Sequence, residues 1–99
     1  MTDRGLLARI EAKPESAAQV QELLENALEL ARQETQTVTW YSFRLGPTSF
    51  GVFDTFNDEA GREAHLNGKI AAALMEIAPT LLASAPDIQK VDVLAAKLP

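Results

Sequence analysis

Cysteine is absent from this 99-residue chain, and its absence excludes several kinds of chemistry. Without a thiol there is no disulfide framework, iron–sulfur cluster, zinc–thiolate site or cysteine nucleophile. The chain also has a single histidine, His65, so we expect no transition-metal site made only of protein ligands. The serines lack a GxSxG context, and the turn sequence GPTSFG lacks the lysine of a phosphate-binding loop. We therefore predict a protein with no metal and no cofactor.

Long apolar runs and clusters of positive charge are also missing. No run of about 18 apolar residues is present, and the first residues, MTDRGLLARIEA, lack the apolar core of a signal peptide. The net charge is −5, and the nine lysines and arginines are scattered, whereas nucleic-acid binding needs a basic surface. We therefore expect a cytoplasmic protein, one domain spanning residues 1–99, that binds neither membranes nor nucleic acid.

The spacing of apolar residues predicts the order strand, helix, strand, strand, helices, strand. Right-handed crossovers then give a ferredoxin-like split βαβ fold of class α+β, with all helices on one face of a four-stranded antiparallel sheet. The first predicted elements are a strand over 5–12, a helix from a Ser16–Gln19 capping box to about Gln33, and strands over 37–45 and 50–56. They are followed by a helix capped by Asn57 or Asp58 and interrupted at Asn67-Gly68, a short new helix over 79–84, and a last strand over 87–97.

Both faces of the predicted sheet carry large apolar side chains. In the second strand Trp40 lies on one face and Tyr41 on the other, and in the third strand Phe53 opposes Phe50 and Phe56. Helices explain only one apolar face, and monomers rarely expose a large apolar patch. We therefore predict a homodimer in which two sheets pack about a two-fold axis. The alternative is that these residues are scattered singly and need no partner.

The segment TWYSFRLGPTSFGVFDTFNDEAGREAHLNGKIAAAL, from Thr39 to Leu74, resembles the antibiotic biosynthesis monooxygenase family, which includes quinol monooxygenase-like proteins. The resemblance implies a dimeric α+β barrel with a ligand pocket between the helices and the sheet of each subunit. It also implies oxygenation of phenol- or quinol-like aromatic molecules with O2 and without metal or flavin. Haem-degrading relatives carry an iron-binding histidine about where this chain has Met75. Since His65 lies in a different turn, haem degradation is not expected.

Asp54 and His65 are the candidate catalytic residues. Asp54 interrupts the aromatic strand FGVFDTF, and His65 follows on the next predicted helix. Oxygen reacts more readily with a phenolate than with a phenol, so a cofactor-free oxygenase needs a base in a pocket that excludes water. His65 can act as that base or as a hydrogen-bond donor, and Asp54 can orient it. A buried Asp54 needs a partner, and Arg9, Arg44 and His65 are available.

The surroundings of this pair depend on the hairpin register. If Leu45 lies opposite Ser49, Asp54 faces Trp40, and a loop one residue different pairs it with Tyr41. The residues predicted to contact a substrate are Trp40, Tyr41, Phe53 and Met75. Three functions stay open: a monooxygenase for a small aromatic molecule, a non-catalytic protein that binds a small hydrophobic ligand, and a cofactor-free isomerase that uses the same base. A purely structural role for Asp54 is the simpler alternative.

Overall fold

The computed structural model describes residues 2–99, which form an α+β fold with one four-stranded sheet. The sheet is antiparallel in the order β2-β3-β1-β4, so the predicted ferredoxin-like arrangement is confirmed. The elements are β1 (Arg4–Glu11), α1 (Ala17–Gln33), β2 (Thr37–Arg44), β3 (Ser49–Phe56), α2 (Glu59–Leu66), α3 (Lys69–Leu81) and β4 (Asp87–Asp92).

The core lies between the helices and one face of the sheet. Alternate residues of β1 and β3 point to this face because successive side chains of a strand point to opposite faces. The helices cover them with apolar side chains spaced at three and four residues. The buried apolar residues of this core include Leu6, Ile10, Val20, Leu24, Phe50, Val52, Phe56, Ile70 and Leu74.

Helix boundaries differ from the prediction in two places. Ser16 does not cap α1 with its side chain, because it ends a 3-10 turn, Pro14–Ser16, that leads directly into the helix. Pro79 does not begin a new helix but lies inside the last turns of α3. Proline has no N–H, so the carbonyl of Met75, four residues before Pro79, lacks its helical hydrogen bond. Met75 is exposed, and water can take the place of the missing amide. The predicted cap of α2 is confirmed for Asp58, whose carboxylate accepts from Gly61 N at 2.8 Å.

The last strand is shorter than predicted. β4 ends at Asp92, and only one further main-chain contact is made there, from Val93 N to Asp3 O at 2.9 Å. Residues 93–99 form no strand. β4 is an edge strand, and its pairing ends at Asp92 because the opposite residue, Arg4, is the first of β1.

The hairpin between β2 and β3 has the first of the two registers considered. Leu45 N donates to Ser49 O at 2.7 Å, and Trp40 lies directly opposite Asp54. A β-bulge near Val38 shifts the register only at the start of β2. Asp54 therefore points to the helical face, which brings it to α2. Across residues 2–99, no helix is both long and apolar enough to cross a membrane.

Candidate functional site

Asp54 is a charged residue placed in the centre of the core. It lies in the middle of β3 between β1 and β2, and it is 1% exposed. Both neighbouring strands and the helices above exclude water from it. An ionised carboxylate in such a position requires a charged or hydrogen-bonding partner.

His65 is that partner. It lies in the last turn of α2 and is buried, and its Nε2 is 2.9 Å from Asp54 Oδ2. The two arginines considered as partners lie elsewhere, since Arg9 is exposed and Arg44 donates to Gln21. The ring of Phe56 packs against the imidazole with centroids 5.4 Å apart, a distance at which an aromatic ring favours a cation.

Glu34 contacts the other nitrogen of the same ring. Its Oε1 is 2.6 Å from His65 Nδ1, and Thr37 Oγ1 donates to the same oxygen at 2.6 Å. Glu34 is the C-cap residue that directly follows α1. Sequence reasoning missed it because it is 31 residues from His65, at a helix end among other polar residues. No local pattern distinguishes it from the exposed glutamates of α1.

The two carboxylates change the charge state of His65. Burial alone lowers the pKa of His65, but the hydrogen bonds and charges of Asp54 and Glu34 outweigh it and raise the pKa from 6.5 to about 9. Burial also raises the pKa of Asp54, while the hydrogen bond and charge of His65 oppose that change. At neutral pH the ring is therefore an imidazolium that donates one hydrogen bond to each carboxylate.

A narrow cavity lies beside this pair, under α3. Its walls come from the three helices α1, α2 and α3 and from the strands β1, β3 and β4. Asp54 and His65 are its two polar lining residues among apolar side chains such as Leu24, Val52 and Leu74. The centre of a water-sized sphere can occupy about 40 Å³ of it, which is room for roughly three water molecules. A ring-sized ligand would therefore need α3 or its side chains to move outward.

Two buried polar atoms near the cavity have no partner within the described chain. They are Asp54 Oδ1 and Trp40 Nε1, on residues that face each other across β2 and β3. One is an acceptor and the other a donor, and buried polar groups are nearly always paired. Asp54 Oδ1, on a residue that lines the cavity, is thus free to accept a hydrogen bond from a hydroxyl or a water.

None of the four residues predicted to contact a substrate is among the residues that line this cavity. Tyr41 and Phe53 pair with each other on the opposite face of the sheet, and Tyr41 is 57% exposed. Met75 lies on the outer side of α3 and is 56% exposed. Trp40 packs on the core beside the cavity. The structure therefore brings Asp54, His65 and Trp40 together and leaves Tyr41, Phe53 and Met75 apart from them.

The carboxylates and the histidine do not form a metal centre. Asp54 and Glu34 contact opposite nitrogens of one ring, so they cannot converge with it on one ion. Within the part of the chain that the structure describes, no group of three or more histidine, aspartate and glutamate side chains is arranged to hold a metal.

Comparison with solved structures places this fold among known ones. A Nitrosomonas europaea protein of unknown function is 56% identical, with a TM-score of 0.97 over 100% of this chain and 96% of that one. A Pseudomonas aeruginosa protein is 22% identical, with a TM-score of 0.81 over 96% of this chain and 97% of that one. An antibiotic biosynthesis monooxygenase is 19% identical, with a TM-score of 0.78 over 93% of this chain and 99% of that one.

The sequence resemblance to antibiotic biosynthesis monooxygenases is thus confirmed in the fold. No family model and no curated protein matches the chain. The activity of the site has to be argued from its own geometry.

Proposed function

Because the chain belongs to the family of the Nitrosomonas europaea protein and has the fold of an antibiotic biosynthesis monooxygenase, we propose that it is a cofactor-independent monooxygenase for a small phenol- or quinol-like molecule. The observation that carries this proposal is the free oxygen of Asp54. A buried carboxylate with one oxygen on an imidazolium and the other unpartnered beside an apolar cavity is suited to receive a proton.

The residues have distinct roles in this reaction. Asp54 accepts the proton of the substrate hydroxyl or of an activated CH2 group, and the resulting anion is electron-rich enough to react with O2. A carbon–oxygen bond forms, one oxygen atom stays in the product as a carbonyl, and the other leaves as water. His65 holds Asp54 in place and supplies positive charge next to the developing anion. Trp40 lies opposite Asp54, where its indole N–H can donate to a substrate oxygen.

Oxygen uptake tests the proposal directly. A panel of hydroquinones and anthrones is supplied to the wild type, to Asp54→Asn and to Asp87→Asn, which changes an exposed aspartate of β4. We expect uptake above the buffer rate for the wild type and for Asp87→Asn, and a loss of about 100-fold or more in Asp54→Asn. No uptake above buffer with any compound would contradict the enzymatic proposal.

A non-catalytic binding protein is the second candidate. It is favoured by the cavity walls, which are apolar apart from Asp54 and His65, because such a lining retains an apolar molecule with or without chemistry. Ligand binding without oxygen uptake in the wild type would support it. Turnover that continues without oxygen would instead indicate an isomerase that uses the same base.

The proposal includes a homodimer formed through the sheet face that the helices leave uncovered. This face carries Leu7, Tyr41, Phe43, Phe53 and Val91, none of which is buried. The ring of Phe43 lies against the backbone of this face, since a Cβ at Gly51 would lie within 2.5 Å of it. A second copy of the chain would remove this contiguous apolar surface from water.

A further inference from the structure

His65 lies between two separate spaces. Its inner side lines the apolar cavity with Asp54. Its outer side lines a wider cleft at the surface, formed by residues 33–37 together with Gly61 and Ala64. The centre of a water-sized sphere can occupy about 230 Å³ of this outer cleft, so it is hydrated, whereas the cavity has room for roughly three waters.

The polar atoms that join these two spaces form an unbroken series. Glu34 Oε1 is 2.6 Å from Nδ1, and Nε2 is 2.9 Å from Asp54 Oδ2. Exposure of the side chains falls along the series from 20% for Glu34 to 8% for His65 and 2% for Asp54. Thr37 donates to Glu34 Oε1 and fixes the outer carboxylate towards the ring. Each step is short enough for direct proton transfer.

A purely structural cluster explains these contacts less well. Ions placed in a protein interior cost free energy unless every polar atom is paired, and their replacement by apolar groups is often stabilising. Here the innermost atom, Asp54 Oδ1, is left without a partner at the cavity. The outermost residue, Glu34, reaches the hydrated cleft. This cluster has an unpaired oxygen atom at its inner end and reaches water at its outer end. It is therefore arranged to transfer protons as well as to stabilise the fold.

We propose that Glu34, His65 and Asp54 form a proton path between the outer cleft and the closed cavity, a role that rests on Asp54 being the group that faces the substrate. As Asp54 takes up a proton from the substrate, Nδ1 of the His65 imidazolium releases its proton to Glu34, and Glu34 releases it to water, while Nε2 keeps its proton. When Asp54 later gives up its proton, Nδ1 takes one back through Glu34 and the imidazolium is restored. This return matches an oxygenation that first removes a proton from the substrate and later needs one to form water.

In this path Glu34 is a positioning and relay residue, since it does not reach the cavity. Glu34→Gln tests it because the amide oxygen still accepts from Nδ1–H but cannot take up the proton. Glu22→Gln is the matched control, since Glu22 is an exposed glutamate of the same helix. Circular dichroism and thermal unfolding establish that both variants are folded. The chain contains one histidine, so its ring protons give unambiguous NMR signals.

The first readout is the exchange of the Nδ1 proton of His65 with water, which requires no substrate. We expect exchange to slow in Glu34→Gln and to keep the wild-type rate in Glu22→Gln. Equal exchange rates in both variants would overturn the path. If exchange slows but the wild type consumes no oxygen with any compound, the path stands and the monooxygenase proposal fails.

The second readout applies to the compound that gives oxygen uptake. Loss of the relay lowers kcat by about 100-fold at unchanged KM, within the range typical of proton-transfer groups. Formate is small enough for the outer cleft and can replace the missing carboxylate, so it should restore kcat in Glu34→Gln and have no effect on Glu22→Gln. A kcat in Glu34→Gln equal to that of the control, or a loss of kcat that formate leaves unchanged, would contradict the path.

Discussion

The charge of His65 predicts how the stability of the protein depends on pH. Its pKa in the folded state is about 9, compared with 6.5 for an unperturbed imidazole. At 1.36 kcal/mol for each pH unit, this difference stabilises the folded protein by about 3 kcal/mol. The residue is 8% exposed, so solvent screening reduces the effect little. Domains of this size are stable by about 5–15 kcal/mol, which makes the contribution large.

The sign of the effect follows from the direction of the pKa change. The folded state binds the proton more tightly than the unfolded state, so the stabilisation is complete below about pH 6.5. It is lost as the pH rises towards about 9, where the folded protein also releases the proton. We therefore expect the free energy of unfolding to fall by about 3 kcal/mol between about pH 6 and about pH 9.5.

Urea unfolding followed by the fluorescence of Trp40, the one tryptophan, measures this change at a fixed protein concentration. The reference is the double variant Glu34→Gln/Asp54→Asn, whose amides keep the shape of both partners but remove their charges. Burial alone then lowers the pKa of His65, so the decline between pH 6.5 and 9 should disappear. A decline in the wild type no larger than in the double variant would refute the assignment of His65 as a buried cation.

Three further changes have defined outcomes. Asp54→Asn removes the charge nearest to Nε2, so the pKa of His65 should fall below its wild-type value of about 9, and an NMR titration with no change would contradict the pairing. Leu74→Ala enlarges the cavity and should cost about 2–5 kcal/mol in thermal unfolding, of which an apolar ligand such as indole should restore part by filling the space. Tyr41→Lys places a charge on the uncovered sheet face and should weaken the homodimer in sedimentation velocity, whereas Leu28→Lys on the outside of α1 should not; equal dissociation of both would count against this interface.

The Asp54–His65 pair could be predicted from the sequence because only a few arrangements of the hairpin and α2 were possible. The hairpin allowed two registers, and α2 follows β3 after a two-residue connection. Once Leu45 pairs with Ser49, Asp54 has to point towards the helices. Strand alternation and the order of the elements therefore determine most of the inner half of the site.

Glu34 and the size of the cavity were not predictable in this way. The contact of Glu34 with His65 depends on where α1 ends relative to α2, which is a property of tertiary packing. The volume beside His65 depends on how closely Leu74 and its neighbours approach the sheet, and apolar periodicity gives no measure of that distance. Pro79 shows a related limit, since the rule that proline begins a helix ignores its tolerance near a helix end, next to an exposed carbonyl.

The central claim is that His65 is a cation held between Asp54 and Glu34 in the resting protein. A nitrogen-15 NMR spectrum of the single histidine at about pH 7.5, one unit above its ordinary pKa, tests this most directly. We predict that both ring nitrogens carry protons at that pH and that one is released near pH 9. A neutral ring with one protonated nitrogen at pH 7.5 would contradict the account.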